Sequence, residues 1–182
     1  MSNFEEVFYP NLGSTRRWAA FQEIARLLSA KRKPLIVETG CLRRIGNWNG
    51  DGQSTVIWDW FGGEVFSVDI DPIAVETAQR ACPLVNVTCG DSVDYLVNFK
   101  RAGEIDLLYL DSYDYIPGLD AAAEHHLNEL RAIYKRLPHG CIIAVDDCFS
   151  PTEGKGSLVR VFLENYGVQP IHESYMTIWV KP

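Results

Sequence analysis

Short, nearly unbroken apolar runs alternate along this chain with stretches that repeat their apolar residues every three or four positions. The runs are Leu35–Glu38, Glu64–Asp69, Leu84–Cys89, Ile105–Leu110 and Cys141–Val145. A strand covered by helices on both faces reads this way, because neither face needs polar residues. Before the first run, Trp18, Phe21, Ile24, Ala25, Leu27 and Leu28 share one helical face over Trp18–Ala30, and Lys31-Arg32-Lys33-Pro34 ends that helix. Further helices are predicted from near Gln53-Ser54-Thr55, from Pro72, from about Val93 to Lys100, from about Asp120 to Leu137, and over about Ser157–Asn165. Pro72 suits a first helical turn, where its missing N–H has no partner to lose. Two closing strands, Val168–His172 and Tyr175–Val180, are joined at Glu173-Ser174, too tightly for a crossover, so they pair antiparallel. The alternation predicts an α/β fold with a doubly wound, seven-stranded, mostly parallel sheet and one antiparallel strand in a C-terminal hairpin. At 182 residues the chain is expected to form a single domain, with an N-terminal helical segment (1–33) ahead of the core (34–182).

Charge and cysteine usage narrow the class. Acids outnumber Lys and Arg by 24 to 17, a net charge of −7, which argues against a non-specific grip on nucleic acid. The five cysteines (Cys41, Cys82, Cys89, Cys141, Cys148) form no CxxC pair and no zinc-spaced cluster, as expected of reduced thiols. The acidic start Met1-Ser2-Asn3-Phe4-Glu5-Glu6 has no apolar signal region, and no apolar run is long enough to span a bilayer. The expectation is a soluble cytoplasmic protein without a membrane partner, acting on a small molecule. Phe4, Phe8 and Tyr9, read as exposed aromatics, suggest a homodimer.

Candidate chemistry lies where the apolar runs stop. The first ends in Glu38-Thr39-Gly40-Cys41 and the second in Val68-Asp69-Ile70-Asp71. A glycine at one strand tip lets backbone approach a ligand, and an acid at the neighbouring tip reaches ribose hydroxyls, so the pair points to a nucleoside-containing cofactor. The order Gly40-Cys41-Leu42-Arg43-Arg44-Ile45-Gly46 lacks the G-x-G-x-x-G of dinucleotide sites. Gly154-Lys155-Gly156-Ser157 lacks the leading glycine of a phosphate loop.

From about Lys33 to Lys181 the series resembles the class I S-adenosylmethionine-dependent methyltransferases, a Rossmann-like fold. Glu38-Thr39-Gly40-Cys41 matches their first motif, Val68-Asp69-Ile70-Asp71-Pro72 the second, Gly90-Asp91-Ser92 the adenine motif and Asp106–Asp111 the fourth strand. The resemblance implies that Glu38 and Gly40, with Thr39 and Cys41 beside them, face the methionine part. It places Asp69 on the ribose diol, Ile70 against the adenine ring, Asp91 and Ser92 at the adenine edge, and Asp111 by the transferred methyl. Ser54 and Thr55, at a helix start, are expected to meet the methionine carboxylate. The chain departs from the family in the Arg43–Gly52 insertion, whose length suggests a substrate-facing loop in which Arg43 and Arg44 could hold an anion. Within it Asn47-Trp48-Asn49-Gly50-Asp51-Gly52 starts like a calcium loop, but Trp58 stands where the closing glutamate would be.

Asp111 ends strand four and Asp146-Asp147 ends strand five, so three carboxylates should converge. Two such charges 4 Å apart repel by about 4 kcal/mol at an effective dielectric near 20, so a proton or a cation is needed among them. The segments Leu110–Tyr115 and Ala144–Cys148 look like metal-dependent O-methyltransferases of antibiotic sugars, and more distantly like catechol-type enzymes. That resemblance implies Mg²⁺ on Asp111, Asp146 and Asp147 and methyl transfer to a small-molecule hydroxyl, with Asp114 as base; His125 is a further candidate. The alternatives are a metal-free methyltransferase in which Asp111 or a histidine is the base and Asp146-Asp147 caps a turn, a nucleoside-binding module without catalysis, and a nicotinamide-dependent oxidoreductase.

Overall fold

The computed structural model describes residues 2–50 and 53–182; Met1 and the loop residues Asp51 and Gly52 lie outside the described residues. Its seven-stranded sheet runs in the order β3 (Val85–Cys89), β2 (Glu64–Asp69), β1 (Leu35–Thr39), β4 (Leu107–Leu110), β5 (Ile142–Val145), β9 (Thr177–Val180), β8 (His172–Glu173). The first five are parallel, and β9 runs antiparallel to both β5 and β8. A two-stranded hairpin of β6 (Cys148–Ser150) and β7 (Glu153–Gly154) follows β5 directly. This hairpin was not predicted, because neither strand is long enough to show a period.

The sheet's two faces carry two cores. On one, Ile36, Leu107, Tyr109, Ile142 and Ala144 pack under α1 (Ser2–Leu12), α2 (Trp18–Leu28), α3 (Ser54–Phe61) and α4 (Pro72–Ala81). On the other, Val37, Leu108, Leu110, Ile143 and Val145 pack under α5 (Ser92–Asn98), α6 (Ala121–Ile133) and α7 (Ser157–Glu164). Neighbouring residues of one strand enter opposite cores, as the two-residue pleat requires. All of β1, β4 and β5 is buried, which is why each read as a continuous apolar run.

Boundaries shift where local chemistry decides. Asp71 caps α4, accepting from the Ile73 N–H at 2.9 Å with Pro72 in the first turn; Asp91 caps α5 through the Asp94 N–H at 2.9 Å. The helix expected to reach Leu137 ends at Ile133 and tightens into a 3₁₀ turn over Tyr134–Arg136. Helix α1 overturns the reading of Phe4 and Phe8 as exposed. Phe4 stacks on Trp18 at 5.8 Å, Phe8 meets Trp60 edge-on at 5.3 Å, and both are buried within their own chain, leaving only Tyr9 exposed. The aromatic argument for a dimer therefore loses two of its three residues.

Candidate active site

Parallel register brings the C-terminal tips of β1, β2, β4 and β5 to one edge of the sheet. Thr39 pairs with Val68 and with Leu110, and Leu110 with Val145, so the residues that follow each strand share a crevice. Strand order reverses between β1 and β4, the place where open α/β sheets bind ligands. Gly40, at φ +79°, starts this edge; a Cβ there would lie 2.5 Å from the Asp111 carbonyl oxygen, so glycine lets β1 and β4 end side by side.

On the β2–β3 side a cavity of about 240 Å³ is lined by Asp69, Ile70, Asp91, Ser92, Tyr113 and His125, among others. The Asp69 carboxylate is oriented by two backbone donors, Cys41 N–H at 3.0 Å and Asp71 N–H at 2.9 Å. Ile70 is 71% exposed and presents an apolar surface beside it. Ser92 shares a 3.0 Å hydrogen bond with His125, whose ring lies 5.3 Å from that of Tyr113. His125 also sits 3.4 Å from the buried Glu129, which is the first reason that its pKa is raised. The structure therefore puts His125 in the wall of this cavity and not among the aspartates.

The expected methionine end is differently arranged. Glu38 is fully buried and accepts hydrogen bonds of 2.7 Å each from Ser54, Thr55 and Ser67. Burial pushes its pKa up to about 7, against the pull of those three donors. Ser54 and Thr55 are thus turned onto Glu38, and Thr55 also accepts from the Leu42 N–H at 3.0 Å, so their hydroxyls brace the β1–α3 loop. Thr39 is buried, and its hydroxyl has no partner among the described residues. Cys41 contributes its backbone; burial pushes its thiol far above the usual range.

Asp111, Asp146 and Asp147 do converge, but with cations of the chain's own among them. Lys155 Nζ lies 2.5 Å from Asp111 Oδ1 and 2.9 Å from Asp147 Oδ2. Arg17, from the turn between α1 and α2, places Nε 2.5 Å from Asp146 Oδ2 and a terminal nitrogen 3.2 Å from Asp147 Oδ1. Asp146 also accepts from the Tyr109 hydroxyl at 3.2 Å and the Asp147 N–H at 2.8 Å, and Tyr175 donates to Asp147. Burial alone would lower the pKa values of Lys155 and Arg17; the aspartates more than reverse this, so both stay charged. Burial and the neighbouring Asp111 push Asp146 up, with Arg17 opposing. The residues present therefore do not fit a divalent ion: the oxygens facing one another already share two cations, the buried Lys155 and the half-buried Arg17, which would repel a third. Among the described residues no group of three or more His, Cys, Asp or Glu is arranged to hold a metal.

Asp114 does not join this cluster. It is exposed and pairs with Arg43 at 3.0 Å across the rim, apart from Asp111, Asp146 and Asp147. Beside Asp111 and Asp146, between Arg17, Trp48 and Ser54, the crevice narrows to about 10 Å³, room for a single water. Sequence reasoning missed Arg17, Lys155, Tyr109, Tyr175 and Glu129. Only the glycines flanking Lys155 offered a local signal.

No protein-family profile matches the chain, and no curated protein matches it. Solved structures do. The MycE methyltransferase of the mycinamycin biosynthetic pathway, in complex with Mg, S-adenosylhomocysteine and mycinamycin VI, superposes with a TM-score of 0.67 at 13% identity, over 99% of this chain and 53% of that one. The sugar N-methyltransferase KedS8 from Streptoalloteichus sp. ATCC 53650 gives 0.61 at 14% identity, over 97% and 92%. A TehB-like S-adenosylmethionine-dependent methyltransferase from Corynebacterium glutamicum gives 0.54 at 18%, over 91% and 95%. The chain spans about half the length of MycE. It has the Rossmann-like fold of S-adenosylmethionine-dependent methyltransferases.

Proposed function

We propose that the chain is an S-adenosylmethionine-dependent methyltransferase acting on the hydroxyl of a small molecule, sugars among them. One observation carries this reading. A cavity with an oriented acid (Asp69) and an apolar platform (Ile70) opens on the same sheet edge, at the strand-order reversal, as a half-buried carboxylate cluster headed by Asp111. The first part suits a nucleoside and the second the reacting end. Asp69 would accept from the ribose diol, Ile70 would cover the adenine face, and Asp91 and Ser92 would border its edge.

Methyl transfer is an in-line displacement. The C–S electron pair returns to sulfur, the acceptor oxygen bonds the methyl carbon, and the acceptor's proton passes to Asp111. Proton transfer that accompanies bond formation needs no free alkoxide, because the oxygen becomes strongly acidic as it is methylated. Holding acceptor and methyl in line supplies much of the remaining acceleration. The resemblance to metal-dependent enzymes implied Mg²⁺, but Lys155 and Arg17 hold the aspartates already, so no step runs through a metal.

The test is calorimetric titration of S-adenosylhomocysteine into wild type and Asp69→Ala. Losing charged hydrogen bonds to a diol should weaken binding by at least roughly tenfold. Absence of binding by wild type would sink the reading. A second reading, a nucleoside-binding module without turnover, draws on the closure of the crevice beside Asp111. Tight binding of S-adenosylhomocysteine with no methylation in a screen of hydroxyl and amine acceptors would favour it.

A further inference from the structure

Lys155, between Gly154 and Gly156, touches neither acceptor nor methyl in the chemistry above, yet the chain goes to some length to place it beside Asp111. Lys155 is 1% exposed, and lysine is almost never buried unless its charge is matched. The hairpin that delivers it is shaped by one left-handed non-glycine residue and two glycines at close approaches. Asp147 is a non-glycine residue at φ +49°. Gly154 has φ +104°, and a Cβ there would lie 2.3 Å from the Asp147 carbonyl oxygen. Gly156 passes so close to Cys148 that a Cβ would lie 2.6 Å from its Sγ. The Lys155 N–H then donates to the Asp147 carbonyl at 3.1 Å, and the side chain turns inward until Nζ lies between Asp111 and Asp147. A left-handed non-glycine residue such as Asp147 persists where surrounding structure imposes it, most often at functional sites.

We infer that Lys155 is the resident cation of this crevice. Its ammonium stands between Asp111 and Asp147, where a carboxylate centre would hold a divalent metal, so the centre is metal-free, and removing it uncovers a divalent-cation site between Asp111 and Asp147, with Arg17 still on Asp146. The inference rests on the proposed function only for calling the crevice an active site. Its physical basis is charge and space. Three carboxylates need positive charge close by; Lys155 and Arg17 supply it, and a divalent ion touching Asp111 and Asp147 would meet the ammonium head-on. Without Lys155, two carboxylate oxygens face each other with no cation between them, a donor set that hard divalent ions choose. Lys155 is then a positioning residue, acting on the acceptor only through the Asp111 carboxylate that it holds.

Manganese ion is the probe, with uptake read by the loss of its free-ion paramagnetic resonance signal. Wild type, Lys155→Met (which keeps most of the aliphatic stem), Lys155→Arg and the double variant Lys155→Met/Asp111→Asn are titrated, each alongside S-adenosylhomocysteine. Wild type and Lys155→Arg should take up no ion at the site. Lys155→Met should bind about one per chain, at least tenfold more tightly than wild type, and the double variant should lose that binding. Stoichiometric uptake by wild type would overturn the inference, as would a folded Lys155→Met that binds nothing. If Lys155→Met does not fold, the wild-type titration decides alone: silence supports the resident cation, uptake refutes it. Failure of S-adenosylhomocysteine to bind would count against the methyltransferase reading and leave the cation result standing.

Discussion

Glu38 has no exposed surface and keeps its carboxyl group among the hydroxyls of Ser54, Thr55 and Ser67. Its folded pKa, pushed up to about 7 by burial, lies above the ordinary value of 4.5. Between those pH values the folded chain holds a proton that the unfolded chain releases, so this group's contribution is full at low pH and fades as pH rises through 7. The loss is roughly 3 kcal/mol at most. Buried His126 acts in the opposite sense, its pKa lowered to about 4, so its contribution fades as pH falls from 6.5 towards 4. The two overlap, and a variant separates them. Glu38→Gln should gain on wild type by up to roughly 3 kcal/mol between pH 4.5 and pH 8 in urea unfolding. A gap that stays constant with pH would show that Glu38 is ionised throughout.

The β6–β7 hairpin is the element most closely tied to the carboxylates, because a Cβ on Gly154 would lie 2.3 Å from the Asp147 carbonyl oxygen. Gly154→Ala sets a Cβ against backbone at a φ that alanine avoids. It should lower stability by about 1–3 kcal/mol, seen as a fall in melting temperature. The nucleoside cavity contains no hairpin residue, so affinity for S-adenosylhomocysteine should stay near wild type. A large fall in affinity would mean that the two halves of the crevice are mechanically coupled. The helix caps behave differently. Asp71 and Asp91 hold their own helix starts and were legible as motif residues, although Asp91 was read as an adenine contact and the structure also shows it as a cap.

Across the whole molecule, α1 and the loop carrying Trp48 close over the reacting end and leave only about 10 Å³ beside Asp111. On the proposed function a methionine chain and an acceptor have to enter there, and for that the cover must yield. Adding S-adenosylhomocysteine should change amide hydrogen exchange in α1 and in residues 42–50 while β1 and β4 stay protected; unchanged exchange there would rule out movement of the cover. The strands and the edge on which the acids gather could be read from the chain. A strand buried on both faces must be apolar throughout, and a register of parallel strands puts all their ends together. The place of Pro72 in a first helical turn and the antiparallel return followed from local chemistry in the same way. What answers the acids could not be read. Arg17 lies 129 residues from Asp146, and Lys155 lies 44 from Asp111, with no period linking either pair. Ser54 and Thr55 show the same limit, since both a ligand and Glu38 were open to their hydroxyls. Periodicity and propensity act over a few residues, so the sequence by itself determined the elements and the acidic edge. Ion pairing in a buried site depends on which distant side chains packing brings within about 3 Å, and that only the tertiary structure decided.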